Sequence, residues 1–113
     1  MRIYKRSEFL KLPVGTIYAK GKPMYFDALS IKGDMCGEND WAELSPMWIS
    51  ASGDDEQWAR LDGMIQRGES YPMAEHYGRD GCFDDDAIFL VPEYDDLLKL
   101  RTMVDAAIEC AKR

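Results

Sequence analysis

The chain contains one histidine, and it stands close in sequence to a thiol and to several carboxylates. His76 lies six residues before Cys82, and the other two cysteines are Cys36 and Cys110. An imidazole that activated one of these thiols would form a nucleophilic pair, which also needs a third group to orient the base. Neither such a signature nor a G-x-S-x-G turn accompanies them. We therefore expect a loop histidine beside acids, and a protein that is not an enzyme.

A second group of chemically capable side chains consists of the aspartates around residues 80–86. These are Asp80, Asp84, Asp85 and Asp86. Carboxylate oxygens are the ligands that Mg²⁺ and Ca²⁺ prefer, but the calcium-loop spacing D-x-[DN]-x-[DN]-G is missing, and so are the glycine-rich nucleotide motifs. The cysteines and the histidine also lack the paired spacing of a zinc site. We expect no metal and no cofactor.

The segment from Tyr71 to Asp84 mixes aromatic side chains, glycines, an arginine and acids. Tyr71 and Tyr77 offer faces for stacking, and the planar guanidinium of Arg79 can grip a carboxylate or a phosphate. A structural interpretation competes with this one, in which Arg79 pairs with Asp80 or Asp84 and ties the segment to the domain. The residues alone leave both interpretations open.

The charge of the chain restricts its partners. The formal net charge is −7 and the sequence pI is about 4.6, which argues against direct binding of a nucleic-acid backbone. Residues 33–96 hold 17 acids against three arginines, whereas residues 1–32 carry a net charge of +5. Two acidic clusters stand out, Asp54-Asp55-Glu56 and Asp84-Asp85-Asp86. A strong electrostatic partner of this region should be basic.

The length of the chain and its apolar runs limit the number of domains and the chance of a membrane-spanning segment. A chain of 113 residues fits one domain, residues 1–113. Nothing at the amino terminus resembles a signal peptide, and the longest apolar run, Ala87 to Pro92, falls short of the ~20 residues that cross a bilayer. Three cysteines are an odd number without C-x-x-C spacing, which favours a reducing compartment. We expect a cytoplasmic protein without membrane contact.

Local patterns predict the elements that must position these side chains. A short helix capped by Ser7 ends before Pro13, and a longer one begins near Asp54 and closes at Gly68. A last helix follows Pro92 and carries a stripe of apolar side chains: Leu97, Leu100, Val104, Ala107, Ile108 and Ala111. Strands are predicted at Gly15–Lys20, Met24–Lys32, Trp41–Ile49 and Ala87–Val91. Residues 69–86 lack periodicity and are predicted as a long loop.

This order predicts an α+β single domain: a bent, mostly antiparallel sheet of about four strands, with two main helices and a short N-terminal helix against one face. Pro46 within the third strand indicates a sheet edge or a bulge. Trp41, Trp48 and Trp58 fall on apolar positions, so we expect them to pack in the core.

Two segments carry a resemblance to known proteins. Phe9-Leu10-Lys11-Leu12-Pro13-Val14-Gly15-Thr16-Ile17-Tyr18 and Tyr77-Gly78-Arg79-Asp80-Gly81-Cys82-Phe83-Asp84-Asp85-Asp86 resemble segments of small proteins encoded by bacteriophages and prophages. The resemblance covers about a third of the chain and brings no catalytic residue to transfer. It implies action by binding, since small acidic phage proteins include anti-CRISPR and other anti-defence proteins.

We therefore hypothesise a non-catalytic interaction protein that docks on a basic, nucleic-acid-binding host protein or nucleoprotein complex such as a CRISPR effector. Acids would steer the encounter and aromatic side chains would hold the complex. The steering residues are Asp54, Asp55, Glu56, Asp84, Asp85 and Asp86, and the candidate anchors beside Asp80 are Tyr71, Tyr77 and Arg79.

The alternative is a protein, self-associated or not, that sequesters a nucleotide signal. It would use the Arg79 segment together with the N-terminal lysines Lys20, Lys22 and Lys32 as phosphate contacts. The sequence leaves the oligomeric state open.

Overall fold

The computed structural model describes residues 1–79 and 85–112 and arranges them as strands and three helices. The strands are β1 (Arg2–Lys5), β2 (Ile17–Lys22), β3 (Tyr25–Phe26), β4 (Ser30–Met35), β5 (Trp41–Ile49), β6 (Met73–Arg79) and β7 (Ile88–Val91). The helices are α1 (Arg6–Phe9), α2 (Asp54–Arg67) and α3 (Tyr94–Ala111).

The described strands form one antiparallel sheet in the order β1-β7-β2-β4-β5-β6, and β3 adds to β2. The α+β class is confirmed, but the prediction of about four strands is wrong, because this sheet has seven. β1 escapes sequence analysis because its four residues run directly into α1. β6 escapes it because Met73–Arg79 mixes polar side chains with a glycine instead of alternating apolar and polar residues. The predicted strand Met24–Lys32 is also wrong, because residues 27–29 separate β3 from β4.

Other boundaries agree with the sequence pattern. β5 spans the predicted residues, and its pairing with β6 shifts in register between Ser45 and Trp48, so Pro46 lies at a bulge where its missing N–H breaks no ladder. α2 ends at Gly68, whose φ of 67° is left-handed. α3 begins two residues later than Pro92 predicts, because the side chain of Glu93 caps the helix in a reciprocal pair with Asp96.

Aromatic rings form the core on one face of the sheet. The Phe9 ring stacks on Phe89 with centroids 4.2 Å apart and meets Tyr18 at 4.7 Å and Trp41 at 5.0 Å. The indole Nε1 of Trp41 donates a hydrogen bond of 2.9 Å to the Tyr18 hydroxyl, so the polar tips of both rings are satisfied. The prediction that Trp41 is buried is confirmed, whereas the same prediction is wrong for Trp58, which is 68% exposed.

A buried lysine caps the C-terminal end of α1 next to this core. Lys32 of β4 is 1% exposed, and its ammonium donates to the carbonyl oxygens of Phe9, Leu10 and Leu12 at 3.1, 3.0 and 2.6 Å. Phe9 is the last residue of α1, and its carbonyl also accepts the backbone N–H of Leu12 at 3.0 Å. The carbonyls of Leu10 and Leu12 follow the end of the helix, where carbonyl groups lack helical partners. Lys32 was a candidate phosphate contact. That prediction is wrong, because the ammonium is buried and hydrogen-bonded to these three carbonyls.

The helices lie on both faces of the sheet, not on one. Tyr18 and Phe89 point toward α1, so their strand neighbours Ile17, Ala19 and Leu90 point to the opposite face, where they border the first turns of α3. No residue of α3 is buried, and every residue from Arg101 to Lys112 is exposed. The second half of α3 therefore projects beyond the sheet.

Candidate protein-binding surface

The acidic first turn of α2 is stabilised by its position in the helix. Asp54, Asp55 and Glu56 lie where unpaired N–H groups give a helix a partial positive charge. Ser52 donates a hydrogen bond to the Glu56 carboxylate, which lowers the pKa of Glu56, and the charge of Arg60 lowers it further. Asp54 and Asp55 remain exposed. The fold thus presents the carboxyl groups of Asp54 and Asp55 to solvent at a helix end that favours negative charge.

Arg60 fastens α2 to the end of β5. Its guanidinium donates to the Ser50 carbonyl at 2.5 Å and to the Ser50 hydroxyl at 3.0 Å, and it forms an ion pair of 2.5 Å with Glu56. It also lies 4.7 Å from the centre of the Tyr71 ring. Sequence reasoning missed Arg60, although its i,i+4 spacing from Glu56 is a signal that could have found it.

Tyr71 is held in place by the same cluster. Its hydroxyl donates a hydrogen bond of 3.0 Å to Glu69, and this bond raises the pKa of Tyr71. Glu69 in turn pairs with Arg67 at 3.0 Å, and the hydrogen bond from Arg67 lowers the pKa of Glu69. Tyr71 is therefore a fixed, partly exposed ring between Arg60 and the end of α2.

Apolar side chains around this cluster remain open to solvent. Trp58 and Ile65 on α2 are 68% and 77% exposed, and Met73 and Tyr77 on β6 are 73% and 65% exposed. Between α2 and β5–β6 lies a shallow cavity of about 340 Å³, lined by Met47, Trp48, Ile49, Leu61, Tyr71 and Met73. Large apolar side chains rimmed by charges are typical of protein-binding sites. We call the exposed side chains of α2 together with the side chains that line this cavity the α2–β6 surface. Tyr77 lies outside it, because Tyr77 points to the face of β6 opposite His76, and the His76 ring packs near Trp48, which contacts α2.

His76 belongs to this region but has no catalytic partner there. Its ring lies 5.3 Å from the Trp48 ring, and the Trp48 Nε1 donates to Gln57 of α2 at 3.2 Å. Within residues 1–79 and 85–112, His76 makes no hydrogen bond to a thiol or hydroxyl side chain. Cys82 lies outside the described residues. Among the described residues, the ring contact of His76 is therefore the packing contact with Trp48.

Arg79 grips a carboxylate that the sequence did not indicate. Its Nε and Nη2 both lie 3.0 Å from Asp40 Oδ2, and Asp40 Oδ1 accepts the backbone N–H of Trp41 at 2.8 Å. Asp40 is 2% exposed, so this pair joins β6 to the start of β5. Arg79 thus has a structural partner in Asp40. The predicted partners Asp80 and Asp84 lie outside the described residues.

The structure separates the second acidic cluster from the first. Asp85 and Asp86 are exposed just before β7, and Asp85 lines a cavity together with Lys5 and Arg6. β7 stands four strand positions from β6 in the sheet, which is roughly 19 Å at the usual strand spacing. Asp84 lies outside the described residues. Of the two acidic clusters, the one formed by Asp54, Asp55 and Glu56 therefore lies on the helix that carries Trp58.

Comparison with protein-family models, curated proteins and solved structures finds no match for this chain. None of the helices in the described part of the chain combines the length and the hydropathy that a membrane-spanning helix needs. In the same residues, no three His, Cys, Asp or Glu side chains are grouped so that they could hold a metal ion.

Proposed function

We propose that this protein is a non-catalytic binding module whose α2–β6 surface docks on a basic protein surface. The observation that carries the proposal is the placement of Trp58 one helical turn after Asp54 and Asp55. Residues three and four apart share a helix face, so two carboxylates flank an indole ring that is 68% exposed. This set matches the chemistry of a partner arginine, which stacks on an aromatic face and pairs with carboxylates at the same time.

The surface combines steering with anchoring. The acids of α2 attract a basic partner over a distance and accelerate the encounter. The exposed side chains of Trp58 and Met73 then supply apolar area, and tryptophan is among the residues that most often dominate binding energy. The Arg60 cluster holds Tyr71 and the first turn of α2 in place before binding, which reduces the entropy cost of association.

The resemblance to small phage proteins makes a host defence protein or a nucleoprotein complex the first partner to test. A nucleic-acid-binding protein carries the clustered lysines and arginines that such a surface would recognise. The nucleotide-sequestering alternative has less support, because Lys32 is buried against carbonyls and Arg79 is held by Asp40.

The test is affinity capture from a host lysate with the wild-type protein and W58A side by side, followed by association kinetics with each captured protein. We expect W58A to lose the specific partner and D54K/D55K to slow association at low salt by about tenfold or more. The matched control is D85K/D86K, which changes the net charge equally but lies near β7. If D85K/D86K slowed association as much as D54K/D55K, general charge and not the α2–β6 surface would explain binding.

A further inference from the structure

The exposed half of α3 carries an apolar stripe that the described chain does not cover. Leu97, Val104 and Ile108 are 37%, 51% and 49% exposed, and Met103 is 66% exposed. Together with Leu100, Ala107 and Ala111 they repeat at the three- and four-residue intervals of a helix-pairing seam. A single helix of this length is marginal in water without packing on its apolar face. A partner for this stripe would therefore stabilise α3.

An apolar groove adjoins the stripe. It lies between the first turns of α3 and the sheet face formed by β2 and β7, with a volume of about 330 Å³. Its apolar lining includes Ile17, Ala19, Leu29, Leu90, Leu100 and Met103. Leu100 and Met103 thus belong both to the groove and to α3, so the two apolar areas are continuous.

The charges of α3 favour a second copy of this chain as the partner that covers the apolar stripe. The protein carries a formal net charge of −7, yet residues 94–113 contain four acids and four bases. Two copies of an acidic protein repel each other over most of their surface, and α3 is a segment where this repulsion is absent. A basic partner would gain nothing from a neutral helix, whereas a second copy of the chain needs one.

The order of these charges also selects the direction of pairing. Parallel helices set the like charges of the two copies at the same height, whereas antiparallel helices can set an acid of one copy opposite a base of the other. Arg101 and Asp105 flank the stripe on one side, and neither forms an ion pair with another residue that the structure describes. A two-fold axis near residues 103–104 places Arg101 of each copy opposite Asp105 of the other.

The same axis brings the apolar stripes of the two copies together, because it passes close to Val104 in the middle of the stripe. We infer that the protein forms a two-fold homodimer through antiparallel pairing of α3, with Val104 close to the axis.

Sedimentation velocity over a concentration series tests the dimer. We expect the wild-type mass to rise with concentration from 12.9 kDa toward twice that value, and V104E to remain monomeric throughout. The matched control is A106E, which places the same charge on the opposite face of α3 and should dimerise like the wild type. Circular dichroism of the monomeric variant checks that the rest of the fold is retained. A wild type that stays monomeric at every concentration, or an A106E variant that is as monomeric as V104E, overturns the inference.

Cysteine cross-linking tests the direction of the helices. In a background with C36S, C82S and C110S, V104C should form an intermolecular disulfide on mild oxidation, because the two copies of residue 104 meet near the axis. L97C should form none, because antiparallel pairing separates the two copies of residue 97 by about 20 Å at 1.5 Å per residue. Cross-linking of L97C would show parallel helices and contradict the arrangement. These variants leave the α2–β6 surface unchanged, so this test and that of the proposed function can fail independently.

Discussion

Replacing Lys32 by methionine removes the ammonium that closes α1 and keeps most of the buried aliphatic stem. The wild-type ammonium makes three hydrogen bonds, of which the one to the Phe9 carbonyl is buried and those to Leu10 and Leu12 are partly buried. The variant leaves these carbonyls without their donor. The substitution therefore separates the value of the charged cap from the value of the packing.

The expected loss follows from the burial of each carbonyl. A hydrogen bond to a charged group contributes about 1.5–3 kcal/mol. The loss at each carbonyl is smaller than this, because the Phe9 carbonyl keeps the hydrogen bond from the Leu12 N–H and water can reach the partly buried carbonyls of Leu10 and Leu12. Against this stands the desolvation of the ammonium, which is also why burial lowers the pKa of Lys32. We expect K32M to lower the free energy of unfolding by about 2 kcal/mol net. That is a large share of the ~5–15 kcal/mol of a typical domain.

Urea unfolding of the wild type and K32M measures this difference, with K11M as the control. Lys11 is an exposed lysine that pairs with Glu8 at the surface, so its replacement should change stability by no more than ~0.5 kcal/mol. Hydrogen exchange adds a local readout, since the amides of Leu10 and Leu12 bond within the turn that Lys32 closes. A K32M protein as stable as the wild type, with unchanged exchange at these amides, would refute the idea that the lysine caps α1.

Three further results are expected. G21A should lower the free energy of unfolding by about 1–3 kcal/mol, because a Cβ at Gly21 overlaps a backbone carbonyl of β3. G63A should be tolerated, because its Cβ meets only flexible side chains. Thermal unfolding of the two variants measures the difference. R79A should cost about 2 kcal/mol in urea unfolding, since Arg79 pairs with the buried carboxylate of Asp40. The hydrogen bond from the amino terminus holds the pKa of Asp96 below 3.8, so its stabilisation is present above that pH and is lost as the pH falls through the lowered pKa; the difference in urea midpoint between wild type and D96N should vanish in acid.

Local signals in the sequence were sufficient wherever one segment determines its own structure. The acids before Trp58 and the glycine after Arg67 predicted both ends of α2, and Pro46 predicted a sheet edge or a bulge in β5, of which the structure has the bulge. The sequence was insufficient to predict an element whose structure depends on pairing with a distant segment. β6 is a strand because it pairs with β5, and its composition does not show this.

The candidate site divides in the same way. Its acids and Tyr71 were visible as residue types, whereas the exposure of Trp58 was not, because a tryptophan on an apolar stripe is normally buried. The partners of Arg79 and Lys32 were also hidden, since Asp40 and the carbonyls of α1 stand 39 and 20–23 residues away in sequence. Burial of a charge depends on contacts that only the folded sheet brings together.

The buried charges connect the two proposed surfaces. Arg6 and Lys32 are buried cations and Asp40 is a buried anion, so the charge facing solvent is more negative than the formal −7. Such an exterior attracts basic partners at α2 and repels a second copy everywhere except at a neutral segment such as α3. Added salt screens both effects. Added salt should therefore weaken the binding of a basic partner to the α2–β6 surface. An α3 dimer that is held mainly by apolar contacts should persist at the same salt concentration. If the dimer dissociated over the same salt range as the partner, one electrostatic surface would serve both interactions.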